Sequence, residues 1–338
     1  MTTDISFENI GRAPEARTSA RAQDALLSEM VLPLRRTFYP LGYSVEIVTN
    51  DTSVLQAAQE SFGHRELVRY CDIPAVRIGV SPADACGAPP EPIRRQYNHL
   101  YSLVADTDNQ ALLDLRSCTT FVWSTRNAVQ NQLYFRYNFL EKVVYLLLGA
   151  SVVTDIHAAC VGKSGRSIML CGESGAGKST LAYACARAGW TYTSDDTSYL
   201  INSSTIPCVI GHAHRARFRP SARKLFPELA AFSLTPRMEG KPSIEVSTAE
   251  LPIERVSEEA RVHSVVYLRR DPAAKAQLVR LPEGTATQMF SRDMYSAGEI
   301  RARHIANLQL LAEVPTYELR YYELNDAVDA LESLTQKE

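Results

Sequence analysis

The sequence has no strong excess of charge of either sign and no cysteine pair at metal-binding spacing. Its 338 residues carry 36 Lys and Arg against 38 Asp and Glu, which gives a formal net charge of −2. A protein that binds nucleic acid by neutralising phosphates is expected to be basic, so this balance argues against that class. None of the seven cysteines forms a C-x-x-C pair, which favours reduced thiols in a cytoplasmic protein.

Long hydrophobic runs are also missing. The longest one, residues 143 to 153, is shorter than the roughly 20 residues that a membrane-spanning helix needs. The first residues lack the basic and then apolar layout of a secretory signal. The sequence therefore predicts a cytoplasmic protein with neither a membrane nor a nucleic acid as its partner. Hydrophobic residues make up 45% of the chain, enough for a globular protein to bury a core.

One strong motif is present. Residues 172 to 180 read Gly-Glu-Ser-Gly-Ala-Gly-Lys-Ser-Thr and fit G-x-x-x-x-G-K-[ST], the pattern of a phosphate-binding P-loop. A short apolar run precedes the motif as a candidate strand, and helix-forming residues follow it up to Gly189. Strand, glycine loop and helix together gather backbone N–H groups and the positive end of a helix dipole around an anion.

The P-loop pattern predicts nucleotide binding with Mg²⁺. Lys178 would reach the β- and γ-phosphates, and the Ser179 hydroxyl would ligate the metal. The residues predicted to contact the nucleotide are Gly172, Glu173, Ser174, Gly175, Ala176, Gly177, Lys178, Ser179 and Thr180.

Two further groups are predicted to lie near the phosphates. Asp195 and Asp196 follow a short stretch, 191 to 194, that would form a second strand parallel to the first. Carboxylates there can hold Mg²⁺ or accept a proton from an attacking hydroxyl, although two such residues can also form an ordinary turn. A Gly- and Ser-containing turn at 162 to 165 predicts a hairpin that returns His157 towards the P-loop.

Together these elements resemble the HPr kinase/phosphorylases and their relatives. In that family a His-Gly opens a strand, and Gly-x-Ser-Gly-x-Gly-Lys-Ser, a helix and Ala-Asp-Asp follow. Here the corresponding elements are His157, residues 172 to 179 and residues 194 to 196, at similar spacings. The resemblance implies transfer of the γ-phosphoryl group of ATP to a hydroxyl, typically of serine, and suggests a homo-oligomer. The predicted catalytic residues are Asp195, Asp196, His157 and Lys178.

The sequence departs from the family at three places. Ala158 replaces the family's Gly after the His, and Thr180 stands where Glu is usual. The family's second signature, which serves HPr binding and phosphorolysis, is not recognisable; the nearest segment is 237 to 245. We therefore expect kinase chemistry without carrying over HPr as the substrate or the reverse reaction.

A basic cluster follows the two aspartates. Arg215, Arg217 and Arg219 would share one face of a strand, where they could hold ATP or an anionic substrate or simply face solvent. Lys241 is a weaker candidate for phosphate contact. Glu245 is a weaker candidate for the metal, beside Ser179 and Asp195. A zinc site at His212 and His214 is not expected, because no Cys or carboxylate lies at ligand spacing.

The predicted fold class is α/β (α+β), with a P-loop kinase core like that of phosphoenolpyruvate carboxykinase around a mixed sheet. Residues 1–22 are predicted to be disordered, 23–130 to form an N-terminal α/β accessory domain, and 131–338 to form the kinase domain. The acceptor, whether protein, peptide or small molecule, is left open. A nucleotide-binding regulatory or assembly protein is the alternative, and a transporter-type ATPase lacks a recognisable signature loop. The intact Lys178, Ser179 and Asp pair favours the kinase.

Overall fold

The computed structural model describes residues 30–82, 89–235, 242–273, 275–292, 294 and 296–336. Helices and two large sheets make up a mixed α/β architecture, which confirms the predicted class. The strands are β1 (Leu34–Phe38), β2 (Val45–Thr49), β3 (Val76–Ser81), β4 (Ile93–Tyr97), β5 (Leu100–Val104), β6 (Gln110–Asp114), β7 (Thr119–Thr125), β8 (Val153–Ile156), β9 (Ala159–Lys163), β10 (Arg166–Cys171), β11 (Thr191–Ser194), β12 (Ser198–Ile201), β13 (Cys208–Gly211), β14 (Arg215–Phe218), β15 (Ile244–Ser247), β16 (Glu259–Arg270), β17 (Gln277–Arg280) and β18 (Thr316–Tyr321).

The helices lie between and after these strands. They are α1 (Thr52–Phe62), α2 (Arg126–Gln130), α3 (Gln132–Phe135), α4 (Glu141–Ser151), α5 (Lys178–Arg187), α6 (Thr285–Arg292), α7 (Gly298–Asn307) and α8 (Leu324–Glu332), with a π-helical turn, Arg136–Leu140, joining α3 to α4.

The N-terminal half is built on the first sheet, in the order β1-β2-β3-β7-β6-β5-β4. The Asp51 side chain caps α1 by accepting from the Ser53 N–H at 2.8 Å, and the apolar side of α1 packs into the first core. Phe135, Phe139 and Leu148, from the helical stretch after β7, are fully buried in the same core. The predicted domain boundary at residue 130 thus falls within a helical stretch that shares this core, and the boundary itself stays a prediction.

The second sheet runs β11-β9-β10-β16-β13-β12-β8, with β18 also beside β16 and β17 beside β18. The central strand β16 pairs in parallel with β10 and β18 and antiparallel with β13. Its Val265 and Val266 are fully buried on opposite faces, as expected for a strand covered on both sides. By pairing with β10, the buried strand β16 fixes the position of the strand that leads into the P-loop.

The order of β10, β9 and β11 brings the predicted site residues to one sheet edge. The strands β9 and β10 form an antiparallel hairpin whose turn residues, Ser164 and Gly165, have φ of 53° and 79°. Because β11 pairs antiparallel with β9, it runs in the same direction as β10. The ends of β10 and β11 and the start of β9 consequently meet at one edge of the sheet.

Candidate active site

The P-loop links the end of β10 to the start of α5. Gly172, Gly175 and Gly177 have positive φ of 143°, 94° and 99°, which side chains other than glycine rarely adopt. Gly177 also lies close to β18, because a Cβ added there would come within 2.5 Å of the Tyr321 hydroxyl. That hydroxyl donates to the Ala176 carbonyl at 2.9 Å. The backbone and its neighbour Tyr321 thus fix a tight turn before the helix N-terminus.

Lys178 and Ser179 connect the loop to its surroundings. The Lys178 Nζ donates to the Gly172 carbonyl at 2.8 Å, and only 7% of this residue is exposed. The Ser179 hydroxyl donates to the Asp195 carbonyl at 3.2 Å, so the first turn of α5 lies directly against the Asp pair. Glu173, Ser174 and Gly175 are exposed at the tip of the loop, where a phosphate could approach the backbone N–H groups.

Asp195 is the buried member of the pair, with 7% of the residue exposed. Its Oδ2 accepts from the Arg217 N–H at 2.9 Å. Burial, and then the neighbouring charge of Asp196, raise the pKa of Asp195 to about 7. A carboxyl that titrates near neutral pH is suited to accept and release a proton during a reaction.

Asp196 lies on the more open side of the same edge. Its Oδ1 is 3.4 Å from the His157 Nδ1, and about half of each side chain is exposed. The structure therefore brings together the P-loop, both aspartates and His157, the groups that the sequence places in the catalytic centre. Their catalytic roles stay predictions.

The arginine cluster is divided differently from the predicted single strand. Residues 212 to 214 form a turn, and β14 begins only at Arg215. Arg219 lies beyond β14, and its Nη2 donates to the Ser174 hydroxyl of the P-loop at 3.0 Å. This contact joins Arg219 to the loop, whereas the predicted roles of the three arginines towards ATP or an anionic substrate stay predictions. Lys241 lies outside the described residues.

Glu245 is engaged by neighbours rather than turned to a metal. It stands opposite Arg217 across the β14–β15 pair, and its Oε1 lies 3.1 Å from the Arg217 Nε. The Tyr137 hydroxyl donates to its other oxygen, and an Arg215 nitrogen lies 4.0 Å from that oxygen. With its carboxylate shared among these groups, we do not carry Glu245 forward as a metal ligand.

The remaining oxygen donors fit Mg²⁺. The structure shows no cluster of three or more His, Cys, Asp or Glu side chains that could hold a metal within the part of the chain it describes. Magnesium in phosphoryl-transfer sites needs only one or two protein oxygens, because phosphates and water supply the rest. The predicted ligands Ser179 and Asp195 meet beside the P-loop, and the half-exposed Asp196 carboxylate next to them is a further candidate; these metal-binding roles stay predictions.

A cavity of about 190 Å³ opens beside the Asp pair. Asp195, Asp196 and Arg217 line one side of this cavity, which we call the acceptor pocket. Tyr145 and Ser61, from the N-terminal half, line the opposite side. No sequence signal pointed to these two residues, because they lie far from the motif along the chain and have ordinary neighbours.

Two histidines in the acceptor pocket also escaped prediction as site residues. His212 and His214 lie in the turn between β13 and β14, and both line the pocket. Burial is the main cause that lowers the pKa of His212 to about 3 and that of His214 to about 2. Both rings are therefore neutral near pH 7, where each can donate one hydrogen bond and accept another. The alternating His-x-His pattern was their only signal, and it was considered only as a zinc site, which was not expected.

Comparisons with known proteins add little to this geometry. No protein-family model matches the sequence, and no curated protein matches it. Among solved structures, the chain is similar to the HPr(Ser) kinase/phosphatase from Coxiella burnetii, with 12% sequence identity and a TM-score of 0.29. The match covers 53% of this chain and 89% of that one. A likeness at this level carries no argument about function. Across the described residues no helix combines the length and apolar character needed to cross a membrane.

Proposed function

We propose that the protein is an ATP-dependent kinase that transfers the γ-phosphoryl group to a hydroxyl. The observation that carries the proposal is the meeting of three parts at one sheet edge: the P-loop, the buried Asp195 and the acceptor pocket. The hydrogen bond from the Ser179 hydroxyl to the Asp195 carbonyl, 3.2 Å long, joins the first part to the second. Asp195 itself lines the third.

The phosphate side of the reaction depends on position and charge. The loop amides and the N-terminus of α5 would bind the β- and γ-phosphates, with the Lys178 ammonium beside them. Arg219, already in contact with Ser174, would add positive charge at the mouth of the loop. Mg²⁺, held by Ser179 and Asp196, would neutralise charge on the phosphate oxygens.

The acceptor side depends on Asp195. Its carboxylate would take the proton of the acceptor hydroxyl as that oxygen forms a bond to the γ-phosphorus. The bond from the γ-phosphorus to the bridging oxygen breaks, and ADP leaves with the electron pair. The N–H of Arg217 donates to the Asp195 Oδ2 and, with the Tyr192 hydroxyl, would hold the carboxylate in position for this step. His157 would orient Asp196 by its contact with the Oδ1.

The decisive experiment follows label from γ-labelled ATP with Mg²⁺ in three purified proteins: wild type, Asp195→Asn, and Asp329→Asn as a control. Asp329 is an exposed aspartate of α8, away from the pocket. The acceptors are a set of hydroxyl compounds, peptides and proteins. We expect label on a discrete acceptor with wild type and control, and on the order of 10²-fold or more slower transfer with Asp195→Asn at unchanged ATP affinity.

The alternative predicts another result. A nucleotide-binding regulatory protein would bind ATP in all three forms without transferring label. That outcome would contradict the kinase proposal, as would transfer that is equally fast with Asp195→Asn.

A further inference from the structure

The acceptor pocket has walls from both halves of the chain. Ser61 lies in the last turn of α1, and Glu141 and Tyr145 lie on α4; both helices pack into the core of the N-terminal half. Asp195 and His214 belong to the half that carries the P-loop. An acceptor that reaches Asp195 would therefore pass between groups of the two halves, and neither Ser61 nor Tyr145 was predicted from the sequence as a site residue.

The N-terminal wall is held in place by one buried arginine. The Arg136 Nε donates to the Ser61 hydroxyl at 2.8 Å, and its Nη1 donates to Glu60 at 2.8 Å. Ser61 in turn donates to Glu141 at 2.7 Å, and an Arg136 nitrogen lies 3.3 Å from the same Glu141 oxygen. The wall thus presents a fixed hydroxyl and a carboxylate whose charge is balanced by Arg136.

Ion pairs fix the N-terminal wall against the opposite one. Both terminal nitrogens of Arg69 pair with both carboxylate oxygens of Glu259, at the start of β16, one of them at 2.8 Å. The Arg65 Nη2 donates to the Gly211 carbonyl, at the end of β13. Since Gly211 directly precedes His212, this contact sets the distance between the two walls.

Aromatic rings from both halves meet in and beside the pocket. Tyr145 stacks on Tyr199 with ring centroids 5.8 Å apart, and His212 meets Tyr145 edge-on at 5.3 Å. His64 lies over His214 with centroids only 3.4 Å apart, a distance at which two imidazolium cations would repel strongly. Burial lowers the pKa of His64 to about 4, so both rings are neutral near pH 7.

Most charged groups of the pocket have partners of opposite charge within the protein. Arg215 and Arg217 face Glu245, and Glu141 faces Arg136. What remains for a ligand is neutral imidazole, hydroxyl and aromatic surface beside the Asp pair. An anionic acceptor would meet the charge of Asp196, while the two arginines of the pocket already share the carboxylate of Glu245.

We propose that the acceptor is a small uncharged molecule with several hydroxyls, a polyol or monosaccharide, and that the N-terminal half supplies one wall of its site. Hydroxyls both donate and accept, which matches neutral histidines, tyrosines and serine. Carbon-bound hydrogens on the face of such a molecule can pack against the aromatic rings. A volume of about 190 Å³ suits an acceptor of this size. The inference rests on the proposed kinase function and names its substrate class.

The test offers five uncharged compounds and two anionic ones as acceptors for γ-labelled ATP. The uncharged probes are glycerol, erythritol, xylitol, glucose and myo-inositol; the anionic ones are glycerate and gluconate. Serine-containing peptides form a third arm. We expect label on at least one uncharged compound and on the order of tenfold slower transfer to its anionic counterpart.

A variant of the N-terminal wall distinguishes this inference from the kinase proposal. Tyr145→Phe keeps the ring and removes the hydroxyl, so the KM for the labelled acceptor should rise about threefold to tenfold while the KM for ATP stays unchanged. Tyr134→Phe is the matched control, because its hydroxyl is bound to the Pro90 carbonyl away from the pocket.

Three results would overturn the inference. Label on the anionic compounds or peptides alone would do so and leave the kinase function standing. So would an acceptor KM that Tyr145→Phe does not change. ATP binding with no transfer to any probe overturns both proposals together, whereas transfer that requires Asp195 but ignores Tyr145 overturns only this one.

Discussion

The P-loop and the acceptor pocket lie side by side, yet the chain builds them in opposite ways. The P-loop motif is nine consecutive residues that run from the end of β10 into the first turn of α5, and its backbone is proposed to provide most of the groups that bind phosphate. The acceptor pocket draws side chains from α1, α4 and the loops around β12 to β14. Chemistry common to many proteins can thus be encoded locally, while the choice of acceptor that we propose would depend on how distant segments pack.

The largest expected effect tests the locally encoded site, the P-loop, at Lys178. Lys178→Ala removes the ammonium that should hold the β- and γ-phosphates, so we expect ATP affinity and transfer both to fall, the latter by at least about 10²-fold. Lys224→Ala, at an exposed lysine, is the control. Calorimetric titration with ATP and the γ-label assay measure the two effects. Unchanged ATP affinity in Lys178→Ala would contradict the assignment of the P-loop.

The dependence of the transfer rate on pH should sharpen the contrast between the two sites, because only the acceptor side is expected to titrate near pH 7. Asp195 must be deprotonated to accept a proton, so transfer should rise with pH through about 7, while ATP affinity should not show that limb. Removing the neighbouring charge with Asp196→Asn should move the limb to lower pH, since that charge raises the pKa of Asp195. If the rise of the transfer rate in Asp196→Asn stays at the same pH or moves to higher pH, a group other than Asp195 titrates.

The same carboxyl links pH to stability. Its pKa is raised in the folded state, so the unfolded chain loses this proton first and the folded state loses stability as pH rises from about 4 to about 7. Asp195→Asn should remove this loss. Thermal unfolding at several pH values, compared with Asp329→Asn, measures the difference.

The smallest expected effect concerns the backbone of the P-loop. Gly177→Ala places a side chain at a φ of 99° and within 2.5 Å of the Tyr321 hydroxyl, which should cost about 1–3 kcal/mol of unfolding free energy and weaken ATP binding. Gly165→Ala is a matched control at positive φ with no atom within 4 Å of the added Cβ. Equal losses in both variants would mean that the contact with Tyr321 is unimportant.

The sequence predicted the parts of the site that depend on neighbouring residues. The turn before β10, the helix after the P-loop and the edge that carries the aspartates follow from local patterns of glycine and apolar residues. Which phosphoryl acceptor these parts serve could not follow from them. Tyr145 and Ser61 carry no motif, and only the packing of α1 and α4 places them opposite Asp195.

Glu245 and Arg219 also show what local sequence patterns cannot predict. Glu245 was a weaker candidate for the metal, and the pairing of β14 with β15 places its carboxylate beside Arg217. Arg219 looked like one of three equivalent arginines. The end of β14 separates it from the others and brings it to Ser174. The surroundings of both residues depend on strand pairing between segments that are distant in the sequence. No local pattern encodes that pairing.

The central position of β16 has a consequence for the order in which the protein can acquire its function during synthesis. The P-loop strand pairs on one side with β9, its immediate predecessor, but on the other side Ser167 pairs with Val262 and Met169 with Val265. A ribosome must therefore translate past β16 before the P-loop strand has both neighbours. We expect ATP to protect only those nascent chains that are long enough to expose β16, so nucleotide can assist the final stages of folding but not the early ones.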